Sequence, residues 1–219
     1  MAGQKLVWDE TGKRTYETGV NEVALYVMGD TGTYGTGVAW NGVTGITESP
    51  SGAEPTALYA DDIKYLELLS AEEYGFTITA YDSPEEFDAC DGTAELADGV
   101  LVGQQARKKF ALVYKTRIGN DVKGTDYGYK LHIVYGAFAS PAEKAHSTVN
   151  DSPEAVELSW EATTTPVNVT GFKPTSFVTI DSTVVGAEKM KKLEDILYGG
   201  TAAPKLLMPD EIKTTLAAS

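Results

Sequence analysis

The sequence predicts a mainly β protein, a β-sandwich or partial barrel with an α-helix packed on its flank. Two observations carry this prediction. Short β-rich runs separated by turn residues recur along most of the 219 residues, and one late segment has the period of an amphipathic helix. A hydrophobic share of 42% against 23% charged residues is ordinary for a folded domain, which argues against wholesale disorder.

Strand signals cover most of the chain. The clearest lies at 73–81, where Tyr74, Phe76 and Ile78 alternate with small or polar residues, the pattern of a half-buried strand. We expect Ile63–Leu69 to pair with it. Further strands are predicted at 24–28, 37–47 (bent or interrupted by glycines), 110–118, 127–139, 155–165 and 175–180.

Two helices are predicted from their end signals. Ser83 as N-cap and Glu86 as the partner in a capping box begin a short helix that Asp91-Gly92 ends. Thr183 begins a second helix that runs to about residue 198. Its apolar face consists of Ala187, Met190, Leu193, Ile196 and Leu197.

The chain divides into an N-terminal arm (1–22), a β-sandwich domain (23–199) with a turn-rich loop at 48–62, and a C-terminal arm (200–219). Both arms and the loop contain apolar residues without a periodic core pattern, which indicates partner surfaces. The alternative is that these segments fold back on their own subunit. The residues expected at such interfaces are Leu6, Trp8, Tyr16, Pro50, Pro55, Leu58, Tyr59, Leu206, Leu207 and Met208.

The sequence contains no recognisable catalytic or metal-binding set. His132 and His146 have no second histidine or cysteine at metal-ligand spacing, and nothing marks Cys90 as an activated thiolate. The glycines between 29 and 37 are not followed by Gly-Lys-Ser/Thr, and the acidic segment 87–92 does not fit a calcium-binding loop. We therefore expect no enzymatic activity, no cofactor and no metal.

The charge balance is strongly acidic. With 32 acidic against 18 basic residues, the net charge is −14, so most of the surface should repel nucleic acid. This charge serves either solubility alone or a surface past which DNA must move without binding. The densest basic run, Arg107-Lys108-Lys109, is expected to complement an acidic neighbouring subunit.

The beginning of the sequence does not have the features of a secretory signal, and no apolar run approaches the ~20 residues that a membrane helix needs. We therefore expect synthesis in a cytoplasm and no membrane partner.

A resemblance to a known protein family extends over nearly the whole chain, in a series of short stretches. They include Tyr16-Glu17-Thr18-Gly19-Val20, Gly37-Val38-Ala39-Trp40-Asn41-Gly42, Glu48-Ser49-Pro50-Ser51-Gly52-Ala53-Glu54, Gly119-Asn120-Asp121, Asn150-Asp151-Ser152-Pro153-Glu154, Pro166-Val167-Asn168-Val169-Thr170-Gly171 and Asp195-Ile196-Leu197-Tyr198-Gly199. In these stretches the chain resembles the major tail proteins (tail-tube proteins) of siphoviruses, of the type found in phages of Gram-positive bacteria.

The resemblance implies a fold of the phage tail-tube type and a structural role in the virion. Subunits of this kind close into hexameric rings whose inner strands form a barrel around a channel for the genome. The rings stack through a long loop and the terminal arms. The implied partners are further copies of the chain and the tape-measure, terminator and distal tail proteins, with DNA present only transiently.

From the sequence we place the stacking contacts in 48–62, helped by 1–22 and 200–219, and we expect deletion of 50–58 to abolish tubes without unfolding the subunit. The acidic candidates for the channel wall are Asp61, Asp62, Glu67, Glu72 and Glu73. Two other functions remain open. One is a different virion ring protein, a head–tail connector or tail terminator; the other is a carbohydrate-binding adhesin whose aromatic platform draws on Trp8, Trp40, Trp160 or the tyrosines.

Overall fold

A computed structural model describes residues 5–146, 148 and 155–217. The stretch Asn150-Asp151-Ser152-Pro153-Glu154 and the outermost residues of both expected arms (1–4 and 218–219) lie outside the described residues. The strands are β1 (Thr15–Val27), β2 (Val38–Ala39), β3 (Val43–Glu48), β4 (Ser51–Gly52), β5 (Pro55–Ala60), β6 (Ile63–Leu69), β7 (Glu72–Glu73), β8 (Gly75–Ala80), β9 (Ala94–Ala97), β10 (Val100–Val102), β11 (Phe110–Asn120), β12 (Gly124–Ala139), β13 (Leu158–Thr164) and β14 (Phe177–Asp181). The helices are a 3₁₀ turn (Glu85–Phe87), α1 (Asp88–Asp91), α2 (Ser182–Val185), α3 (Ala187–Leu197) and α4 (Pro209–Ala217).

One large antiparallel sheet organises the fold. Its strand order is β2-β1-β11-β12-β13-β8-β3, and β14 pairs with β12 beside this path. The apolar side of α3 packs on one face of the sheet through Met190, Leu193 and Leu197. The predicted fold class, mainly β with a flanking helix, is confirmed.

β1, β11 and β12 are buried on both faces at residues 23–26, 110–114 and 131–137, which explains the nearly continuous apolar runs there. Successive side chains along a strand point to opposite faces. In β11, Leu112 and Tyr114 therefore join one core, whereas Ala111 and Val113 join a second core on the helix side.

The sheet forks at Gly136 in β12. Residues before it pair with β14 and residues after it pair with β13, and the register against β11 slips at this position. Gly136 has a φ of 61°, and a Cβ there would lie 2.3 Å from the Thr165 carbonyl oxygen, so only glycine fits. Because of this bulge, β13, β8 and β3 fold over the central strands as the second layer of a sandwich.

The first core lies between the two layers and is rich in aromatic rings. Phe87 packs against Trp40 with ring centroids 4.5 Å apart and against Trp160 at 5.2 Å. Both tryptophans are buried, so neither can serve in the aromatic platform expected of an adhesin.

The second core lies under the helices and includes the C-terminal segment. Leu206 and Leu207 are 4% and 3% exposed and pack in the same core as Met190. The Tyr135 hydroxyl donates a hydrogen bond of 2.8 Å to the Leu207 carbonyl. The expectation that these two leucines are exposed is therefore wrong, because the sheet face that α3 leaves uncovered receives them.

Helix starts differ from the predictions. The first turn after Pro84 is a 3₁₀ turn without a side-chain cap, so the predicted capping box at Ser83 is wrong, although Gly92 (φ 79°) ends the helix as expected. Asp181 rather than Thr183 caps the later helix, accepting a bond from the Thr183 amide. Gly186, at φ 89°, then separates α2 from α3.

Two strand predictions also need correction. Ile63–Leu69 pairs with Pro55–Ala60 and not with the strand at Gly75–Ala80, which lies between β13 and β3. In addition, β1 begins at Thr15, so residues 15–22 of the expected N-terminal arm form a strand paired with β11.

Candidate assembly surfaces

Residues 49–74 form one long two-stranded ribbon, here called the hairpin arm. It continues the β3–β8 pair without a slip in register, from Ser51 opposite Glu73 to Leu58 opposite Leu66. Its tip is a two-residue turn at Asp61 (φ 50°) and Asp62 (φ 61°), the positive φ values that a type I′ hairpin turn requires. The predicted loop at 48–62 is thus mostly strand, because its partner lies just beyond it in the chain.

The hairpin arm exposes large apolar side chains on both of its faces. By register, Leu58, Leu66 and Leu68 share one face. Leu69, 71% exposed, lies on the other. β5 and β6 form a sheet of their own, separate from the large one. Apolar patches of this kind mark interaction surfaces. The other exposed arm residues relevant here are Pro50, Pro55, Tyr59, Ile63 and Tyr65.

The five acidic candidates for the channel wall all lie on the hairpin arm. Asp61 and Asp62 form its tip, and Glu72 and Glu73 form β7 near its base. Glu67 forms an ion pair with Lys64. The structure therefore brings the acidic candidates together with Leu58 and Tyr59, two of the interface candidates, on a single element.

The N-terminal segment presents a second apolar surface. Leu6 and Trp8 are each 72% exposed. The chain that follows them is tied to the β11–β12 turn, because the Gly12 amide donates 2.9 Å to Asp121 and Asn120 donates 3.1 Å to the Gly12 carbonyl. The exposed pair thus precedes an anchored segment.

Tyr16 lies at the start of β1 and is half exposed. Its ring covers Gly119 on β11, where a Cβ would lie 2.3 Å from the Tyr16 ring. Tyr16 is thus held in place by the neighbouring strand and keeps one side open to a partner.

Two edges of the central sheet are free within the described residues. The first half of β1, residues 15–22, pairs with β11 on one side, while β2 covers only Ala24 and Leu25 on the other. On the opposite side of the sheet, β14 pairs with β12 alone. Unpaired edges are templates for pairing with another chain.

The basic run differs from its expected role. Arg107 lies 3.6 Å from Asp91 and donates to the Ala139 carbonyl at 3.3 Å, and Lys108 lies 3.1 Å from Asp30. Two of the three cations are therefore engaged inside the subunit. Lys109 donates 2.9 Å to the Thr165 hydroxyl instead of to a carboxylate.

Two buried titratable groups, His132 and Cys90, are held in their neutral forms. Burial lowers the pKa of His132 although Glu17 is near, and its Nε2 lies 2.8 Å from the Thr116 hydroxyl. Burial also raises the pKa of Cys90 to about 12, so it does not supply a thiolate at neutral pH. In the described part of the chain, no group of three histidine, cysteine or acidic side chains could hold a metal ion. Nor is any described helix long and apolar enough to cross a membrane.

Sequence reasoning missed two exposed surfaces. The sequence pattern predicts a pairing of the β6 residues with β8, and the only local sign of the actual hairpin is that Asp61 and Asp62 are of a residue type that tolerates positive φ. The small hairpin β9–β10, with Leu96, Val100 and Leu101 exposed, was not predicted, since runs of three or four residues give no clear period.

Comparison with known proteins gives little further information. No protein-family model and no curated protein matches the chain. One solved structure with a similar backbone course is described as "Cryo-EM structure of the anti-feeding prophage (AFP) baseplate, 6-fold symmetrised". The identity is 7% and the TM-score 0.37, with 80% of this chain and 97% of that chain covered. The case for a function therefore depends on the surfaces of this chain.

Proposed function

We propose that the chain is the structural subunit of a bacteriophage tail tube and forms stacked hexameric rings around a channel for the genome. The observation that carries the proposal is the hairpin arm, whose apolar residues on two faces the subunit itself leaves uncovered. Burying them requires another copy or another protein. The sequence resemblance to siphovirus major tail proteins supplies the specific assembly.

Ring closure follows from the two free edges. The β1 edge at 15–22 and the β14 edge at Phe177–Asp181 lie at opposite sides of the four strands β1, β11, β12 and β14. Pairing the β14 edge of one copy with the β1 edge of the next is a heterologous contact that closes into a ring. A closed barrel then has no free edge.

Charge suits the passage of DNA. The net charge of −14 disfavours binding of phosphates, so a genome can slide past without being held. The acids that we propose to line the channel lie on the hairpin arm, with Glu67, Glu72 and Glu73 along its ribbon and Asp61 and Asp62 at its tip.

The remaining partners would occupy the ends and the interior of the tube. A stack of identical rings leaves unmatched surfaces at both ends, which terminator and distal tail proteins would cover, and the channel would hold the tape-measure protein before the genome. Assembly in the host cytoplasm and residence in the virion belong to the same proposal.

Negative-stain electron microscopy of the purified chain tests this function. We expect long tubes with a central channel. Discrete single rings would instead indicate a head–tail connector or tail terminator. Monomers that bind glycans would indicate an adhesin, although the burial of Trp40 and Trp160 removes two of the three tryptophans from its binding platform.

A further inference from the structure

A groove of 420 Å³ lies near the ends of β1 and β11. Its lining is mainly apolar, with Met28, Tyr34, Val167 and Met208 among the contributing side chains. This volume falls in the range of about 300–1,000 Å³ that is usual for clefts that receive ligand groups. We call it the lysine groove because Lys109 and Lys205 also line it; the one acidic residue in its lining is Glu211.

The two lysines have different partners. Lys205 pairs with Glu211 at 2.7 Å. Lys109 is half-buried, and among the described residues its ammonium makes a hydrogen bond to the Thr165 hydroxyl but forms no ion pair with a carboxylate. This hydrogen bond is exposed to solvent, so a carboxylate from outside can reach the Lys109 ammonium and form a charge-assisted hydrogen bond with it.

The tip of the hairpin arm has the complementary chemistry. Asp61 and Asp62 form the turn, and Ala60 and Ile63 flank it. Tyr59 opposite Lys64 comes next, with Lys64 neutralised by Glu67, and Leu58 opposite Leu66 lies beyond them on one face. Apolar side chains would enter the groove while the two carboxylates meet its lysines. The rest of the subunit surface is acidic, so it would repel the two aspartates and disfavour docking of the tip elsewhere.

Within one subunit, the directions of the strands show that the hairpin arm extends away from the lysine groove. β8, β13, β12 and β11 are successively antiparallel, so the arm leaves Gly75 in the direction in which β11 runs. Lys109 directly precedes the start of β11 at Phe110. The arm therefore points away from the groove of its own subunit, as a head-to-tail contact between copies requires.

We propose that the tip of the hairpin arm of one copy docks into the lysine groove of the next copy along the stack. The inference rests on the proposed tube. It assigns Asp61 and Asp62 to the contact between rings and leaves Glu67, Glu72 and Glu73 as the acidic candidates for the channel.

A charge exchange between two variants tests the contact. The tip variant is Asp61→Lys/Asp62→Gly, in which glycine suits the positive φ of position 62. The groove variant is Lys109→Glu/Lys205→Glu. Each variant alone places like charges at every arm–groove contact, so the critical concentration for tube formation, measured by pelleting, should rise about tenfold or more.

Mixing the two variants restores opposite charges at each contact of an alternating stack, and we expect tubes to return near the native concentration. A misfolded variant could not be rescued in this way, so recovery also reports that both variants fold. Two controls separate charge from shape. Asp61→Asn/Asp62→Gly keeps the turn without charge and should show an intermediate loss, while Lys191→Glu/Lys192→Glu, on the exposed side of α3, should assemble normally.

Tubes from the native chain, together with an unassembled mixture of two variants that each melt like the native chain, would overturn the arm–groove contact and leave the proposed function standing. Normal assembly of either variant alone would overturn the contact as well. Failure of the native chain to form tubes would overturn the proposed function itself.

Discussion

The hairpin arm and the C-terminal segment (200–217) share one sequence feature but differ in whether the protein buries it. Each places adjacent leucines among polar residues outside a clear core pattern. In the C-terminal segment, Leu206 and Leu207 are almost fully buried, whereas Leu68 and Leu69 in the arm are mostly exposed. The difference arises from how many faces of each segment are apolar.

The C-terminal segment needs cover on one side only. Its leucines and Ile212 enter a single core, and the Lys205 amide bonds to the Ile196 carbonyl at 2.8 Å, which ties the segment to α3. The arm is a two-stranded ribbon with apolar residues on both faces, so folding back would cover one face at most. Apolar content alone therefore does not identify a docking surface; the distribution over faces does.

Truncation gives the largest expected effect. Removing residues 205–219 uncovers Met190 and Tyr135, so we expect loss of cooperative unfolding and strong binding of a hydrophobic dye. The matched change replaces 53–71 by Asn-Gly, a two-residue turn between the paired residues Gly52 and Glu72. This shortened arm should melt like the native subunit by circular dichroism. Equal losses in both variants would contradict the comparison.

Single leucine substitutions sharpen the same contrast. Leu207→Ala should lower the free energy of unfolding by about 2–5 kcal/mol, because it opens a cavity in the second core. Leu68→Ala changes an exposed side chain and should alter it by no more than about 0.5 kcal/mol in the monomer. Urea denaturation below the polymerisation concentration measures both, and similar values would show that the arm packs on its own body.

The smallest expected effect is on the stability of the folded chain at acid pH. The Lys205 ammonium, with the Met208 amide, holds the pKa of Glu211 below its ordinary value of 4.5. The ionised form stabilises the folded state, so this contribution is complete above pH 4.5 and is lost as the pH falls through the lowered folded pKa.

Because the pair is partly exposed, its contribution should be only about 0.2–1 kcal/mol. Glu211→Gln should lower the urea midpoint at pH 6 and make it less sensitive to pH below 4.5, whereas Glu143→Gln, at an exposed position outside the helices and strands, should follow the native curve. An unchanged acid response in Glu211→Gln would show that this pair does not hold the segment.

Local signals allowed much of the fold to be predicted. The alternation around Phe76 and Ile78, the apolar face of α3 and the glycine that ends α1 (Gly92) depend on neighbours a few residues away. The fork at Gly136 and the partner of β6 depend on pairings between distant segments, which periodicity does not report. A glycine inside the run 127–139 was a possible sign of a bulge, yet not of the strand exchange that it permits.

The candidate surfaces were predictable in part. The exposure of Leu58 and Tyr59 follows from their position among turn residues, and their role in stacking stays a prediction. Lys109 could not be singled out from its two basic neighbours, because the acids that pair with Arg107 and Lys108 are distant in sequence, one at the end of α1 and one in the turn after β1.

The central claim is that the hairpin arm joins copies of this chain into a tube. Its most direct test compares the native chain with the Asn-Gly replacement of 53–71 by negative-stain electron microscopy at equal concentration, after both show the same melting curve. We predict tubes from the native chain and only monomers or single rings from the replacement. Tubes of normal length from the shortened chain would contradict the claim.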